Sequence, residues 1–142
     1  MRFTPEDSDA AVTWTLTRAA RNIEHRLTAV IAEYGLSPVQ MGVLVQLSTY
    51  SSLTRAELAR LTTTTPQSMA GVIDGMVAKG LLSMSGDGGR GRPNPISITQ
   101  QGAATLEALW PAFMEANSAE ALGLTEAEAA SLNKVLHHLR TL

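Results

Sequence analysis

Short polar side chains and arginines are concentrated between residues 54 and 92 of this 142-residue chain. Four consecutive threonines precede Pro66, Gln67 and Ser68, and Arg90 and Arg92 lie in a glycine-rich stretch. Hydroxyl groups and amides at a helix N-terminus bind phosphate oxygens, and glutamine can pair with the edge of adenine. Arginine favours narrow grooves of high negative potential. These residue types and spacings therefore indicate nucleic-acid recognition.

No other chemistry is supported by a comparable set of residues. The absence of cysteine removes disulfides, thiolate zinc sites and thiol redox sensing. His137 and His138 are adjacent on a predicted helix and diverge by about a quarter-turn, which is poor geometry for one metal ion. The glycine-rich stretch lacks the Gly-Lys-Ser/Thr of a nucleotide-binding loop. We therefore predict that the protein is not an enzyme and that it holds no metal or cofactor.

The charge distribution agrees with a nucleic-acid partner, although the formal net charge is −2. Residues 54–92 contain five basic and three acidic side chains, so this segment is +2 and the remainder is −4. Positive charge thus lies where a nucleic acid would need it. No apolar run is long enough to span a bilayer and no secretory signal is present, so we expect a cytoplasmic protein without membrane contact.

Capping signals and apolar periodicity predict a mainly α-helical fold in the first half of the chain. An apolar stripe predicts a first helix from about Ser8 or Asp9 to Tyr34, ended by Gly35. Capping residues then open three further helices. The openings are Ser37-Pro38-Val39-Gln40, Thr54 with Glu57 for a helix ending at Leu61, and Thr65-Pro66 for a helix ending before Gly80.

A small β-hairpin and two terminal helices are predicted for the second half. Strands at 81–84 and 96–99 enclose the glycine-rich loop, and Leu53 contributes a one- or two-residue strand. Thr99 caps a helix from Gln100 to about Leu122, bent at Pro111, and Thr125 with Glu128 opens the last helix. Core filling is the expected role of methionines 41, 69, 76, 84 and 114.

This order of elements describes a winged helix-turn-helix, flanked by terminal helices with an excess of apolar residues. We predict that the DNA-contacting residues are Arg55, Thr63, Thr64, Thr65, Gln67, Ser68, Gly71, Arg90 and Arg92. From spacing alone, Gln67 is as compatible with an ordinary exposed residue as with a base contact. Arg90 and Arg92 are also compatible with a mobile, solvated loop. The terminal helices either form a dimer interface or fold back on the core, and we favour dimerisation.

Five segments together resemble the MarR family, the multiple-antibiotic-resistance regulators. The segments are 53–61 (LTRAELARL), 65–69 (TPQSM), 72–76 (VIDGM), 79–82 (KGLL) and 96–102 (ISITQQG). The resemblance implies a homodimeric transcription factor, most often a repressor, that binds a palindromic operator in double-stranded DNA. It divides the single domain, 1–142, into a DNA-binding part at 37–99 and dimerisation helices at 8–34 and 100–142.

One position departs from the family pattern. Family members usually carry Asp-x-Arg in the wing, about seven residues before the threonine that ends the last strand. Counting back from Thr99 places Arg92 on the arginine position, but Arg90 stands where the acid is usual. The ion pair that braces the family's wing is therefore either missing or formed through Asp87.

The resemblance also implies an effector, an anionic or aromatic small molecule bound between the dimerisation and DNA-binding parts. We assign Trp14, His25 and Met41 to that site, although for His25 considered alone a surface or interface histidine is the favoured interpretation. A rival hypothesis is a winged-helix module that binds protein and not DNA. The near-zero net charge and the absence of lysine from the wing give that rival some support.

Overall fold

The computed structural model of the protein describes residues 2–85 and 94–142. Asp87, Arg90 and Arg92 therefore lie outside the described residues. The described residues form a mainly helical domain with one antiparallel hairpin, in the order α1 (Pro5–Asp9), α2 (Val12–Ala32), α3 (Pro38–Thr49), α4 (Arg55–Leu61), α5 (Pro66–Ala78), β1 (Leu82–Met84), β2 (Ile96–Ile98), α6 (Gln100–Ala116), α7 (Ala119–Leu122) and α8 (Glu126–Leu139).

The N-terminal region contains two helices where the sequence analysis predicted one. Thr4 caps α1, because its backbone N–H donates to Asp7 Oδ2 at 2.8 Å while its hydroxyl accepts from the Asp7 N–H at 3.3 Å. Pro5 occupies the first helical position, where no amide donor is needed. Ala10 and Ala11 separate α1 from α2, so the predicted start near Ser8 or Asp9 was wrong.

The predicted capping of the central helices is confirmed. Ser37 and Gln40 form a reciprocal capping box at the start of α3, and Thr54 and Glu57 form one at the start of α4. The Thr54 N–H donates to Glu57 Oε2 at 2.8 Å, and this hydrogen bond lowers the pKa of the Glu57 carboxyl. Both helices thus begin at the predicted residue.

The core is built around α3 and lies between the hairpin and the helices α4, α5 and α6. Its fully buried side chains are Val43, Leu44, Leu58, Met69, Ile73, Met76, Ile96 and Leu109. Met41 is buried as predicted, but Met84 and Met114 are 39% and 51% exposed, so the prediction that these two fill the core was wrong. Met84 ends the short strand β1, whose burial decreases from Leu82 onward.

The hairpin pairs Leu82 with Ile98, Ser83 with Ser97 and Met84 with Ile96. Leu53 adds a one-residue bridge on the other side of Ile96, as predicted, through N–H···O bonds of 3.1 and 2.8 Å. This bridge connects the loop before α4 to the hairpin, so the start of α4 and the hairpin share one backbone network.

The predicted long helix from Gln100 to Leu122 is also divided. It ends at Ala116, with Pro111 inside it, and Ser118 then caps the separate helix α7 by accepting the Ala121 N–H at 3.1 Å. Thr125 and Glu128 open α8 with the predicted capping box. None of the helices in the described part of the chain combines the length and the apolarity needed to cross a lipid bilayer.

Candidate nucleic-acid interface

Helices α4 and α5 form a helix-turn-helix in which the orientation of α5 is fixed by its buried side. Met69, Ile73 and Met76 are fully buried against the core, so the opposite side of α5 faces outward. Thr65 caps the helix by accepting the Ser68 N–H at 3.2 Å and donates its own hydroxyl hydrogen to Ser68 Oγ at 3.0 Å. This cap defines the first turn of the outward face.

The outward face of α5 contains small and polar residues. Gln67, Ser68 and Gly71 are all exposed, as the apolar stripe predicted. A Cβ placed on Gly71 would meet nothing within 4 Å, so the surface beside it is open. An exposed glutamine next to an open backbone is an arrangement that can approach the edges of base pairs closely.

The threonine run forms a tight turn in which the four hydroxyls have different surroundings. The Thr64 N–H donates to Ala59 O at 2.9 Å and the Thr63 N–H to Arg60 O at 3.4 Å, which is the Schellman pattern of a helix C-terminus. Thr62 and Thr64 donate their hydroxyl hydrogens to backbone carbonyls. Within the described part of the chain, the exposed Thr63 hydroxyl has no hydrogen-bond partner, so it is the hydroxyl most available to a phosphate.

Thr63 occupies the position where this turn usually has glycine, and its φ of 54° is left-handed. A β-branched residue is strained there by about 1–2 kcal/mol, while glycine costs about 0.5–1 kcal/mol in chain entropy. Thr63→Gly should therefore raise the free energy of unfolding by up to about 1 kcal/mol in chemical denaturation. Thr63→Ala, which retains the Cβ, is the control. A less stable glycine variant would contradict the strain argument.

The base of the wing is described on both sides of the glycine-rich loop. The Ser85 N–H donates to Pro95 O at 3.1 Å, which extends the pairing of β1 and β2 by one further bond. Asn94 lies beside the start of α4, where it lines an open depression of about 420 Å³ with Thr54, Arg55 and Ala56. The wing therefore begins next to the first helix of the helix-turn-helix.

Arg55, which the sequence analysis assigned to DNA contact, is paired within the protein. Its Nη2 lies 2.6 Å from Asp74 Oδ1 on α5 and 3.8 Å from the sulfur of Met84 in β1. The side chains of Arg55 and Asp74 are 39% and 64% exposed, so the pair is in contact with solvent. The sequence did not predict that Arg55 pairs with Asp74, because the two residues are 19 positions apart and meet only when α4 packs on α5.

Comparison with known proteins agrees with this geometry. Residues 34–92, a range that begins after α2 and ends before β2, match the sequence model of the MarR family. This segment of the chain is therefore similar to the MarR family. A probable transcriptional regulator from Pseudomonas aeruginosa has a similar structure, with 29% identity, 92% of this chain and 98% of that chain covered, and a TM-score of 0.75.

Two solved MarR structures share the fold at lower identity. The Streptomyces coelicolor MarR regulator is 24% identical over 94% of this chain and 93% of its own, with a TM-score of 0.79. The Silicibacter pomeroyi MarR regulator is 23% identical over 96% of this chain and 91% of its own, with a TM-score of 0.77. A search of curated proteins gave no match.

The MarR family, which residues 34–92 resemble, consists of transcriptional regulators and not of enzymes, and this chain has a winged-helix fold similar to theirs. Among residues 2–85 and 94–142, no three side chains of histidine, aspartate or glutamate come together as a metal site.

The three residues assigned to an effector differ in their surroundings within a single chain. Met41 is buried in the core, whereas Trp14 is 52% exposed. His25 lines an open depression of about 650 Å³ on α2 with Arg21, Asn22, Ile23 and Arg26, a lining that includes neither Trp14 nor Met41. This depression combines two arginines with one histidine, so an anionic group is the ligand it would favour.

A groove between α3 and α6 is more apolar than the depression beside His25 and was not predicted from the sequence. It has a volume of about 470 Å³ and is lined by Val45, Ser48, Thr49, Ala103, Leu106, Glu107, Trp110 and Pro111. Only the assembly of α3 against α6 brings these residues together. An aromatic or aliphatic group is the ligand chemistry that this lining favours.

Proposed function

We propose that this protein is a homodimeric, sequence-specific DNA-binding regulator that acts as a repressor. The observation that carries the proposal is the outward face of α5, which presents Gln67, Ser68 and Gly71 beside an exposed threonine turn. A helix of 13 residues with such a face has the dimensions of a major-groove reader. The similarity of residues 34–92 to the MarR family supports the same function.

Within this proposal, specificity and anchoring come from different residues. Gln67 pairs with adenine through its amide, Ser68 reads a neighbouring base, and Gly71 allows the backbone to approach the groove. Thr63, Thr64 and Thr65 lie at the turn and the N-terminus of α5, where hydroxyls, amides and the helix dipole favour phosphate oxygens. The exposed hydroxyl of Thr63 supports its assignment as a phosphate ligand.

The wing contributes Arg90 and Arg92 to the minor groove in this proposal. The support comes from sequence, since both residues lie outside the described residues. Two arginines among glycines suit a narrow groove of high negative potential. Arg92 stands on the family's wing position, so we assign the stronger contribution to Arg92.

The exposed apolar stripe of α8 supports a dimer. None of the residues of α8 is buried, and Leu132, Val135, Leu136 and Leu139 are between 36% and 55% exposed on one side of the helix. Val12, Trp14, Trp110 and Met114 on α2 and α6 are exposed as well. An amphipathic helix gains most of its stability by burying its apolar side, and a second copy of the chain would bury this one.

Light scattering at micromolar concentration should therefore give twice the mass of the chain. Leu136→Glu should produce monomer or unfold the protein, because it places a charge in the centre of the apolar stripe. Ala130→Glu, on the opposite side of α8, adds the same charge and should leave the dimer intact. A stable wild-type monomer at that concentration would refute the dimer.

A small-molecule effector would relieve operator binding by changing the spacing of the two DNA-reading parts. The α3–α6 groove supports an aromatic ligand, and the basic depression beside His25 supports an anionic one. Since the proposed partner is genomic DNA, we place the protein in the cytoplasm.

Selection from a random duplex library with the purified protein tests the proposed function. The expected product is a palindrome whose half-sites are separated by about one helical turn, because a two-fold dimer presents two copies of α5. Recovery of no enriched sequence would contradict sequence-specific binding.

A further inference from the structure

The Arg55–Asp74 ion pair lies on the proposed DNA-reading surface itself. Asp74 follows Gln67 by seven positions in α5, which is almost two helical turns, so both side chains project from the same side of the helix. Asp74 is exposed and is the only acidic residue in α5. The Arg55 guanidinium reaches it from the start of α4, at 2.6 Å.

An uncompensated carboxylate at position 74 would oppose DNA binding. DNA phosphates are negative, and most base edges in the major groove present acceptors that a carboxylate cannot pair with. The Arg55 guanidinium neutralises this charge and is therefore committed to a partner within the protein. Its second interaction, with the Met84 sulfur at 3.8 Å, holds it against β1 at the base of the wing.

We infer that Arg55 is a positioning residue that acts on DNA through Asp74 and is not itself a phosphate ligand. It neutralises the only carboxylate of α5 and ties together α4, α5 and β1, the three elements that meet there. This inference rests on the proposed DNA-binding function, and it revises the direct interaction with DNA that the sequence predicted for Arg55.

A double-mutant cycle on the selected operator separates the two roles. Arg55→Ala alone leaves Asp74 unpaired and should weaken operator binding about three- to tenfold, the pair being solvent-screened. Asp74→Asn alone should bind at least as tightly as wild type. The double variant, whose net charge equals that of wild type, should bind within about twofold of Asp74→Asn.

The dependence of affinity on salt gives a readout that a merely structural role would not change. Removal of one phosphate-binding cation lowers the slope of log affinity against log salt by about one unit. The double variant should retain the wild-type slope, because Arg55 neutralises Asp74 and no phosphate. Thermal unfolding of all four proteins identifies any decrease in affinity that is due to unfolding.

Arg60→Ala is the matched control, since it removes an arginine from the exposed side of the same helix α4. Its effect on affinity should be the same whether residue 74 is aspartate or asparagine. Arg55→Ala could instead weaken operator binding by the same factor with aspartate and with asparagine at position 74, and lower the salt slope in both proteins. That result would overturn the inference and show that Arg55 binds a phosphate directly. Failure of the wild-type protein to bind any duplex would instead refute the proposed function.

Discussion

Gln67→Ala should weaken binding to the preferred operator by about 1–3 kcal/mol per half-site, because it removes a bidentate hydrogen-bonded pair with one base. The side chain is exposed in the first turn of α5, and Met69 on the buried side prevents the helix from rotating to replace it. The weakening should be confined to the preferred sequence, so the preference at one position of each half-site should relax. Binding titrations on operators substituted at each position would measure this.

Two control variants separate base recognition from charge. Gln100→Ala removes an equivalent exposed amide from the start of α6 and should leave affinity and preference unchanged. Arg92→Ala should weaken binding evenly across sequences and reduce the salt slope by about one unit for each phosphate that is no longer neutralised. If Gln67→Ala retains full sequence preference, Gln67 does not read a base and our orientation of α5 in the groove is wrong.

Gly102→Ala should lower the free energy of unfolding by about 2–3 kcal/mol, because the site is already fully packed. A Cβ at Gly102 would overlap the carbonyl oxygen of Leu81 and lie 3.0 Å from Ile98 Cγ1. Two hydrogen bonds of Thr99 fix the backbone at this junction between the hairpin and α6. Thr99 accepts the Gly102 N–H at 3.0 Å and donates its hydroxyl hydrogen to Gly80 O at 2.6 Å.

Gly75→Ala is the matched control for this substitution. Gly75 lies inside α5, and a Cβ there would meet nothing within 4 Å, so alanine should stabilise the helix by about 0.5–1 kcal/mol. Chemical denaturation of the two variants should therefore give changes of opposite sign. Wild-type stability of Gly102→Ala would show that the junction between the hairpin and α6 yields to an added methyl group.

The parts of the fold that sequence predicted well are those set by local rules. Capping residues mark the starts of α3, α4, α5 and α8, since each cap needs only residues three positions apart. The box at the start of α1 obeys the same rule, but the five residues of α1, PEDSD, contain no apolar stripe to mark it. The division of α6 from α7 was missed, since the apolar pattern continues through Asn117 and Ser118 although the backbone helix does not.

The features that sequence could not supply depend on packing between elements. Arg55 and Asp74 give no local sign of pairing, and the groove between α3 and α6 exists only after those helices meet. Thr63 carries no signal of a left-handed residue, because glycine and asparagine are the residues usually expected there. Composition likewise could not distinguish the buried Met69 from the exposed Met114.

The most direct test of DNA recognition is the salt dependence of binding by the wild-type dimer, measured by fluorescence anisotropy on the selected operator and on a scrambled duplex. We expect log affinity to fall linearly with log salt, by about 0.9 units for each phosphate neutralised, and the operator to bind at least about 10³-fold more tightly. A flat salt dependence, or equal affinity for both duplexes, would contradict a DNA reader. The winged-helix protein-interaction module would then be the better account of this chain.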